Sequence, residues 1–324
     1  MEQKHLLEIK NLKVAFPSKA GAVRAVNGVN LYVDKGEILG VVGESGCGKS
    51  VSLSNILGLV DAPPAIINGE IDFEGENILY KDEKAFRSIR GKEIAMIFQD
   101  PMNCLDPVIR IGKQLTEMLL AHESMSRTEA ETEAVRLLKL VGIPDAESRM
   151  RHYPHQLSGG MCQRVMIAMA IACKPKLLLA DEPTTALDVT IQAQILKLLK
   201  KIRDEFDTSI IIVTHDLGVV ASLAQRIAVF YGGRVVEEGP TRAIFKDPVH
   251  PYTRGLINCV PSLATSEEEE LHVIEGSVPD LSNMPDGCPF HPRCKFATET
   301  CRKTVPEMVK RSEGHYVLCQ ELLL

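Results

Sequence analysis

Ile38-Leu39-Gly40-Val41-Val42, then Gly43-Glu44-Ser45-Gly46-Cys47-Gly48-Lys49-Ser50, then Val51-Ser52-Leu53-Ser54-Asn55-Ile56-Leu57, is the stretch that decides the fold. A short apolar run, a glycine-rich turn and a helical pattern in that order are the setting a phosphate-binding loop requires. Without its strand and helix, G-x-x-x-x-G-K-[ST] is no more than a glycine-rich turn. The glycines at 43, 46 and 48 leave room for backbone N–H groups to point inward around an anion. A helix beginning near Lys49 turns its positive end, about half a charge, to the same point. The candidate nucleotide contacts are Gly43, Ser45, Gly46, Cys47, Gly48, Lys49, Ser50 and Val51. Lys49 would reach the terminal phosphates and the Ser50 hydroxyl would ligate Mg²⁺.

The rest of the chain bounds the reading. Its 324 residues suit roughly two domains, and 45% apolar with 25% charged residues is an ordinary globular composition. No stretch approaches the ~20 apolar residues of a membrane helix, and Met1-Glu2-Gln3-Lys4-His5 lacks the apolar core of a secretory signal. A cytoplasmic protein is expected. A net charge of −6 with no dense Lys/Arg block argues against a nucleic-acid-binding surface.

Read in order, the first forty residues alternate like strands, with Leu6–Lys10 and Leu12–Phe16 followed by Val23–Val33, and form a small antiparallel layer. Phe16 is placed either to lie flat on an adenine ring or to pack in the core. Ile94–Phe98 is an apolar run ending at Gln99, which could reach a nucleotide's Mg²⁺ or a water, or simply end the strand. From Val108 to about Met150 the periodicity turns helical, giving a helical insertion over about 101–160, with Ser126 and Glu129 at capping-box spacing. In Leu157-Ser158-Gly159-Gly160-Met161, Ser158 would cap the next helix and the glycines leave its N–H groups uncovered, a second potential phosphate-binding end. Leu177-Leu178-Leu179-Ala180 runs into Asp181-Glu182, the pattern of a buried parallel strand delivering acids to the edge where α/β folds place their ligands. Asp181 suits Mg²⁺ and Glu182 a water. Ile210–Val213 ends at Thr214-His215, and His215 can hydrogen-bond a terminal phosphate.

These motifs, in this order, resemble the ATPase subunits of ABC transporters: Walker A at 43–50, a glutamine loop at Gln99, a signature at 157–161, Walker B at 177–182, the turn Ala186-Leu187-Asp188 and a switch histidine at His215. Asp181-Glu182-Pro183-Thr184-Thr185-Ala186-Leu187-Asp188-Val189-Thr190 and the tail starting His250-Pro251-Tyr252-Thr253 are similar to the dipeptide/oligopeptide importer branch, which also contains nickel importers. The resemblance implies an α/β fold with an antiparallel β subdomain and a helical subdomain: a nucleotide-binding domain over 1–248 and a C-terminal domain over 249–324. It implies ATP with Mg²⁺ on Ser50, Gln99 and Asp181, Glu182 as general base and His215 on the γ-phosphate. Ser158 and Gly160 would act on a partner's nucleotide, and Phe16, thirty-three residues before Lys49, falls where the family stacks adenine. Further implications are a second, similar ATPase subunit, two membrane permeases, an extracytoplasmic solute-binding protein, and a peripheral place on the cytoplasmic face of the membrane. The alternatives are the same role for nickel or another solute, and a non-transport ABC ATPase.

Four of the nine cysteines, Cys288, Cys294, Cys301 and Cys319, fall in the last 37 residues, separated by five, six and seventeen residues. Pro279, Pro285, Pro289 and Pro292 leave little room for long elements, and so short a segment gains from a staple. Disulfides do not suit a cytosolic chain, which leaves a metal centre. Zinc favours closer cysteine pairs, though His291 and His315 are spare ligands, and the spacing is not that of the common ferredoxin runs. The resemblance favours a four-iron four-sulfur cluster on the four cysteines.

Overall fold

The structure, a computed structural model, describes residues 5–19, 21–185, 187–259, 273–319 and 321. Ala186 of the expected turn lies outside the described residues. The chain divides into two compact units, one drawn from 1–33, 38–80 and 214–324, the other from 34–37 and 81–213.

In the first unit, strand Leu7–Ser18 pairs antiparallel with Gly21–Val33 and with Ile66–Phe73, which pairs in turn with Glu76–Asn77. This is the antiparallel layer expected from the sequence. The two runs read there as Leu6–Lys10 and Leu12–Phe16 form one strand with a bulge. Leu7 and Ile9 are buried, but so are Leu12 and Val14, which sit on the opposite phase of a period of two. Asn11, at φ 47, supplies the extra residue that returns the later pair to the core face.

A second sheet in this unit carries the phosphate loop. Ile38–Val42, buried throughout, runs parallel to Arg226–Tyr231 with Val41 beside Ala228. Arg226–Tyr231 turns through Gly232 and Gly233, both at positive φ, into the antiparallel strand Arg234–Pro240. The sequence reading did not foresee the next step: the hairpin of Val309–Ser312 and His315–Val317 adds to the sheet, with Val317 opposite Glu237. Glu237 is fully buried and its carboxylate accepts three hydrogen bonds, from the backbone N–H groups of Val249 (2.8 Å) and His250 (2.9 Å) and from His315 Nε2 (2.8 Å). A buried carboxylate is tolerated only with such partners.

The second unit has three parallel strands, Ile94–Ile97, Leu177–Asp181 and Ser209–Thr214, with Leu179 beside both Met96 and Ile211. The last two are buried at every position, as parallel strands covered on both faces must be. Helices Ile111–His122 and Arg127–Leu140 make the expected helical insertion. Ser126 accepts from Glu129 N at 3.3 Å while Glu129 accepts from Ser126 N at 2.7 Å, completing the capping box.

Candidate nucleotide-binding site

The strand Ile38–Val42 hands directly to the loop, and helix Lys49–Ile56 leaves it with Gly48 at φ 99. Two glycines are fixed by close approach. A Cβ on Gly43 would lie 2.3 Å from the Phe230 carbonyl oxygen, and one on Gly48 2.2 Å from that of Ala25. On Gly46, at φ 77, it would meet nothing within 4 Å, so the loop's middle opens to solvent. Lys49 is buried and folds back over the loop, donating to Gly43 O at 2.8 Å and Glu44 O at 2.9 Å. Its ammonium is thus held within the loop, against two of the loop's carbonyl oxygens. Cys47 is buried beneath it, 3.7 Å from the ammonium. Ser45 and Ser50 are exposed, and Val51 lies in the first turn of the helix. Phe16 is half-buried and pairs with Val23 across the antiparallel layer. His215 is exposed, immediately after strand Ser209–Thr214, and Asp216 accepts from Gly218 N at 2.7 Å to cap the next helix.

The second unit holds the candidate acids. Asp181 ends its strand buried. Glu182 follows at φ 46, a left-handed conformation that costs a non-glycine residue about 1–3 kcal/mol and is held where surroundings enforce it. Glu182 N donates to Val213 O at 2.8 Å, while its Oε2 accepts from Gln99 Nε2 at 3.2 Å and from Thr185 Oγ1 at 2.8 Å. Thr185 was not singled out as a functional residue in the sequence, nor was Gln163, whose Nε2 donates to Pro183 O at 2.8 Å and fixes the turn after the acids. Ser158 caps helix Gly159–Ala170 as expected, accepting from Met161 N at 3.4 Å. Gly159 is exposed and a Cβ there would meet nothing, whereas one on Gly160 would touch Ile191.

In the C-terminal segment, burial pushes the Cys288 thiol up to about 11, with the neighbouring Cys301, Cys319 and Cys294 adding to the shift. Burial also raises Cys294, again with Cys319 and Cys301 nearby. Cys288, Cys301 and Cys319 line one cavity. Among the described residues, however, no group of three or more His, Cys, Asp or Glu is arranged to hold a metal ion, so the expected C-terminal metal-binding domain is not supported by this geometry. The two spare zinc ligands differ in their surroundings. His315 is committed to Glu237, and His291 Nδ1 lies 3.0 Å from the Cys288 carbonyl oxygen.

Residues 26–185 match the family model for ABC transporters, and residues 236–301 match that for the oligopeptide/dipeptide transporter C-terminal region. The chain is 53% identical over 313 residues to the oligopeptide transport ATP-binding protein OppD of Bacillus subtilis, covering 96% of this chain and 87% of that protein. To the OppD of Salmonella typhimurium it is 51% identical, with 93% and 89% covered, and to the dipeptide transport ATP-binding protein DppD of Bacillus subtilis 49%, with 97% and 94% covered. A solved dimeric bacterial ABC transporter cassette, MJ0796, is similar at TM-score 0.65 and 32% identity, over 73% of this chain and 99% of that one. With motifs, geometry and relatives in agreement, the chain belongs to the ABC-transporter ATPases, in their oligopeptide/dipeptide branch.

Proposed function

We propose that the chain is the ATP-hydrolysing subunit that drives an ABC importer of oligopeptides or dipeptides. The observation that carries this is the constraint on Glu182, held at the edge of a parallel sheet by Gln99 and Thr185 in a conformation an unconstrained glutamate avoids. In that place Glu182 takes the proton of a water as the water oxygen attacks the γ-phosphorus and ADP leaves. Lys49 and the loop amides hold the phosphates, His215 holds the γ-phosphate and Phe16 stacks the adenine. The donors of Ser50, Gln99 and Asp181 are the hard oxygens that suit Mg²⁺, which when bound neutralises phosphate charge. Ser158 and Gly160 complete the site of a second, similar ATPase subunit.

The cassette spans 1–248 and the C-terminal domain 249–324, and the assembly includes two permeases and a solute-binding protein. Among the described residues no helix is long and apolar enough to cross a membrane, which suits a peripheral place on the cytoplasmic face beneath the permeases. The test is gentle solubilisation followed by pull-down and uptake. Permease subunits should follow the chain, and vesicles carrying the assembly should accumulate labelled tri- to pentapeptides only with ATP inside. Accumulation of nickel and not of peptides would replace the solute.

The same reading assigns the four C-terminal thiols to a four-iron four-sulfur cluster. Its support is that Cys288, Cys301 and Cys319 line one cavity, with Cys294 close enough to act on the Cys288 thiol. Zinc favours cysteine pairs two to four residues apart, and the separations here are five, six and seventeen residues. The cysteines would staple a segment with little core of its own. Anaerobic purification should give a brown protein with iron and sulfide that loses colour in Cys294→Ser. Stoichiometric zinc in a colourless protein would overturn the assignment.

A further inference from the structure

Glu44 of the phosphate loop is held by all three of its polar functions. Its N–H donates to the Tyr252 hydroxyl at 2.9 Å. Its carbonyl oxygen accepts from Lys49 Nζ at 2.9 Å. Its carboxylate takes both ends of the Arg293 guanidinium, Nη1 at 2.8 Å and Nη2 at 3.2 Å. Two of these three partners come from the C-terminal tail, 208 and 249 residues away.

Both tail residues are themselves fixed. The Arg293 side chain is 4% exposed and also donates to the backbone oxygens of Glu275 (3.0 Å, from Nε) and Ile274 (3.2 Å, from Nη2). Tyr252 is fully buried, its ring 4.6 Å from that of Tyr231 and 5.5 Å from that of Phe290. Tyr231 ends the strand that runs beside Ile38–Val42. The tail therefore grips the loop from a rigid aromatic base.

We propose that Arg293 and Tyr252 are positioning residues for ATP binding, acting through Glu44 to hold the phosphate loop in its anion-binding shape. A loop with three glycines at positive φ has many conformations to lose when its amides must converge on phosphates. A partly buried bidentate pair and a backbone hydrogen bond remove much of that freedom before the nucleotide arrives. The Glu44 carbonyl also receives Lys49, so displacement of Glu44 would misplace the ammonium that meets the phosphates. Arg293 directly precedes Cys294, so the clamp is anchored in the thiol-rich segment whatever those thiols hold.

The experiment measures ATP affinity by calorimetry on the full chain, and KM and kcat on the assembled transporter, for Arg293→Met, Arg293→Lys, Glu44→Gln, Tyr252→Phe and the double variant Arg293→Met/Glu44→Gln. Arg293→Met and Glu44→Gln should each weaken ATP binding about tenfold and raise KM in parallel, with kcat at saturating ATP within threefold of wild type. The double variant should be no weaker than the worse single one, and Arg293→Lys should recover part of the loss. Tyr252→Phe, which keeps the ring packing, covers the case in which Arg293→Met does not fold, and should weaken ATP binding about threefold or more. Changes below twofold in both Glu44→Gln and Tyr252→Phe would overturn the proposal. So would losses that multiply to about a hundredfold in the double variant, because they would mean the two residues act independently.

Discussion

Gln99 donates its side-chain amide to Glu182 over 3.2 Å, joining two residues eighty-three positions apart at the edge of one parallel sheet. The same carboxylate oxygen takes the Thr185 hydroxyl at 2.8 Å, so the orientation of the Glu182 carboxylate is set from two sides. Glu182→Gln should keep ATP binding and lose about 10²- to 10⁴-fold in hydrolysis, the usual worth of a positioned general base. In the proposed mechanism the phosphates are held by Lys49 and the loop, which the change leaves alone. Single-turnover hydrolysis within a few-fold of wild type would remove Glu182 from this role.

Assembly gives a second prediction. Helix Gly159–Ala170 presents Ser158 and Gly159 exposed at its start, and the proposed mechanism has that end complete a neighbour's site. Specific ATPase activity of the purified chain should therefore be low and should rise with the concentration of its partner subunit. Full activity in a strictly monomeric preparation at nanomolar concentration would contradict it.

The loop glycines make a stability prediction. Gly43→Ala and Gly48→Ala each drive a Cβ to within 2.3 Å of a backbone carbonyl oxygen, so the loop or its neighbour must shift. A loss of about 1–3 kcal/mol in unfolding free energy is expected from strain of this kind. Gly159→Ala is the control: its Cβ meets nothing within 4 Å, and urea midpoints should differ little from wild type.

His250 gives the pH dependence. Burial lowers its pKa from 6.5 to about 3, and its Nδ1 accepts from Tyr252 N at 3.1 Å, which requires that nitrogen unprotonated. Between those values the unfolded chain carries a proton there that the folded chain refuses. The folded state is therefore favoured most above pH 6.5 and loses up to ~1.4 kcal/mol per unit as pH falls towards 3. His250→Asn keeps an acceptor at the helix start and cannot titrate. Its loss of stability between pH 7.5 and pH 5 should be smaller than that of wild type by about 2 kcal/mol; equal slopes would show that His250 does not carry the effect.

The phosphate loop, the acids after Ala180 and the Ser126 capping box were legible because each is written within a few consecutive residues, and local spacing suffices to place them. Less legible were features that depend on pairs far apart in the chain. Nothing near Glu44 announces Arg293, and nothing near Glu237 announces His315, seventy-eight residues on. Strand Arg234–Pro240 carries two acids, Glu237 and Glu238, and both are core residues. Glu238 is buried against Arg226, whose guanidinium lies 3.7 Å from the centre of the Tyr32 ring. Charge in a strand signals exposure only when no partner arrives from elsewhere. The bulge at Asn11 was hidden for another reason, since two clean alternating runs out of phase look like two strands unless the join is seen.

The three hydrogen bonds converging on Glu237 bear on how such a protein can be cut and recombined. All of its donors lie at or beyond Val249, so a cassette ending at Pro248 keeps every nucleotide motif and leaves a carboxylate buried with none of the partners that make it tolerable. Removing the partners of a buried charge costs several kcal/mol, comparable to the whole stability of many domains. Tail and cassette are therefore one heritable unit. A chimera that exchanges one without the other must also replace Glu237, and an isolated cassette would report the behaviour of a damaged core rather than that of the ATPase.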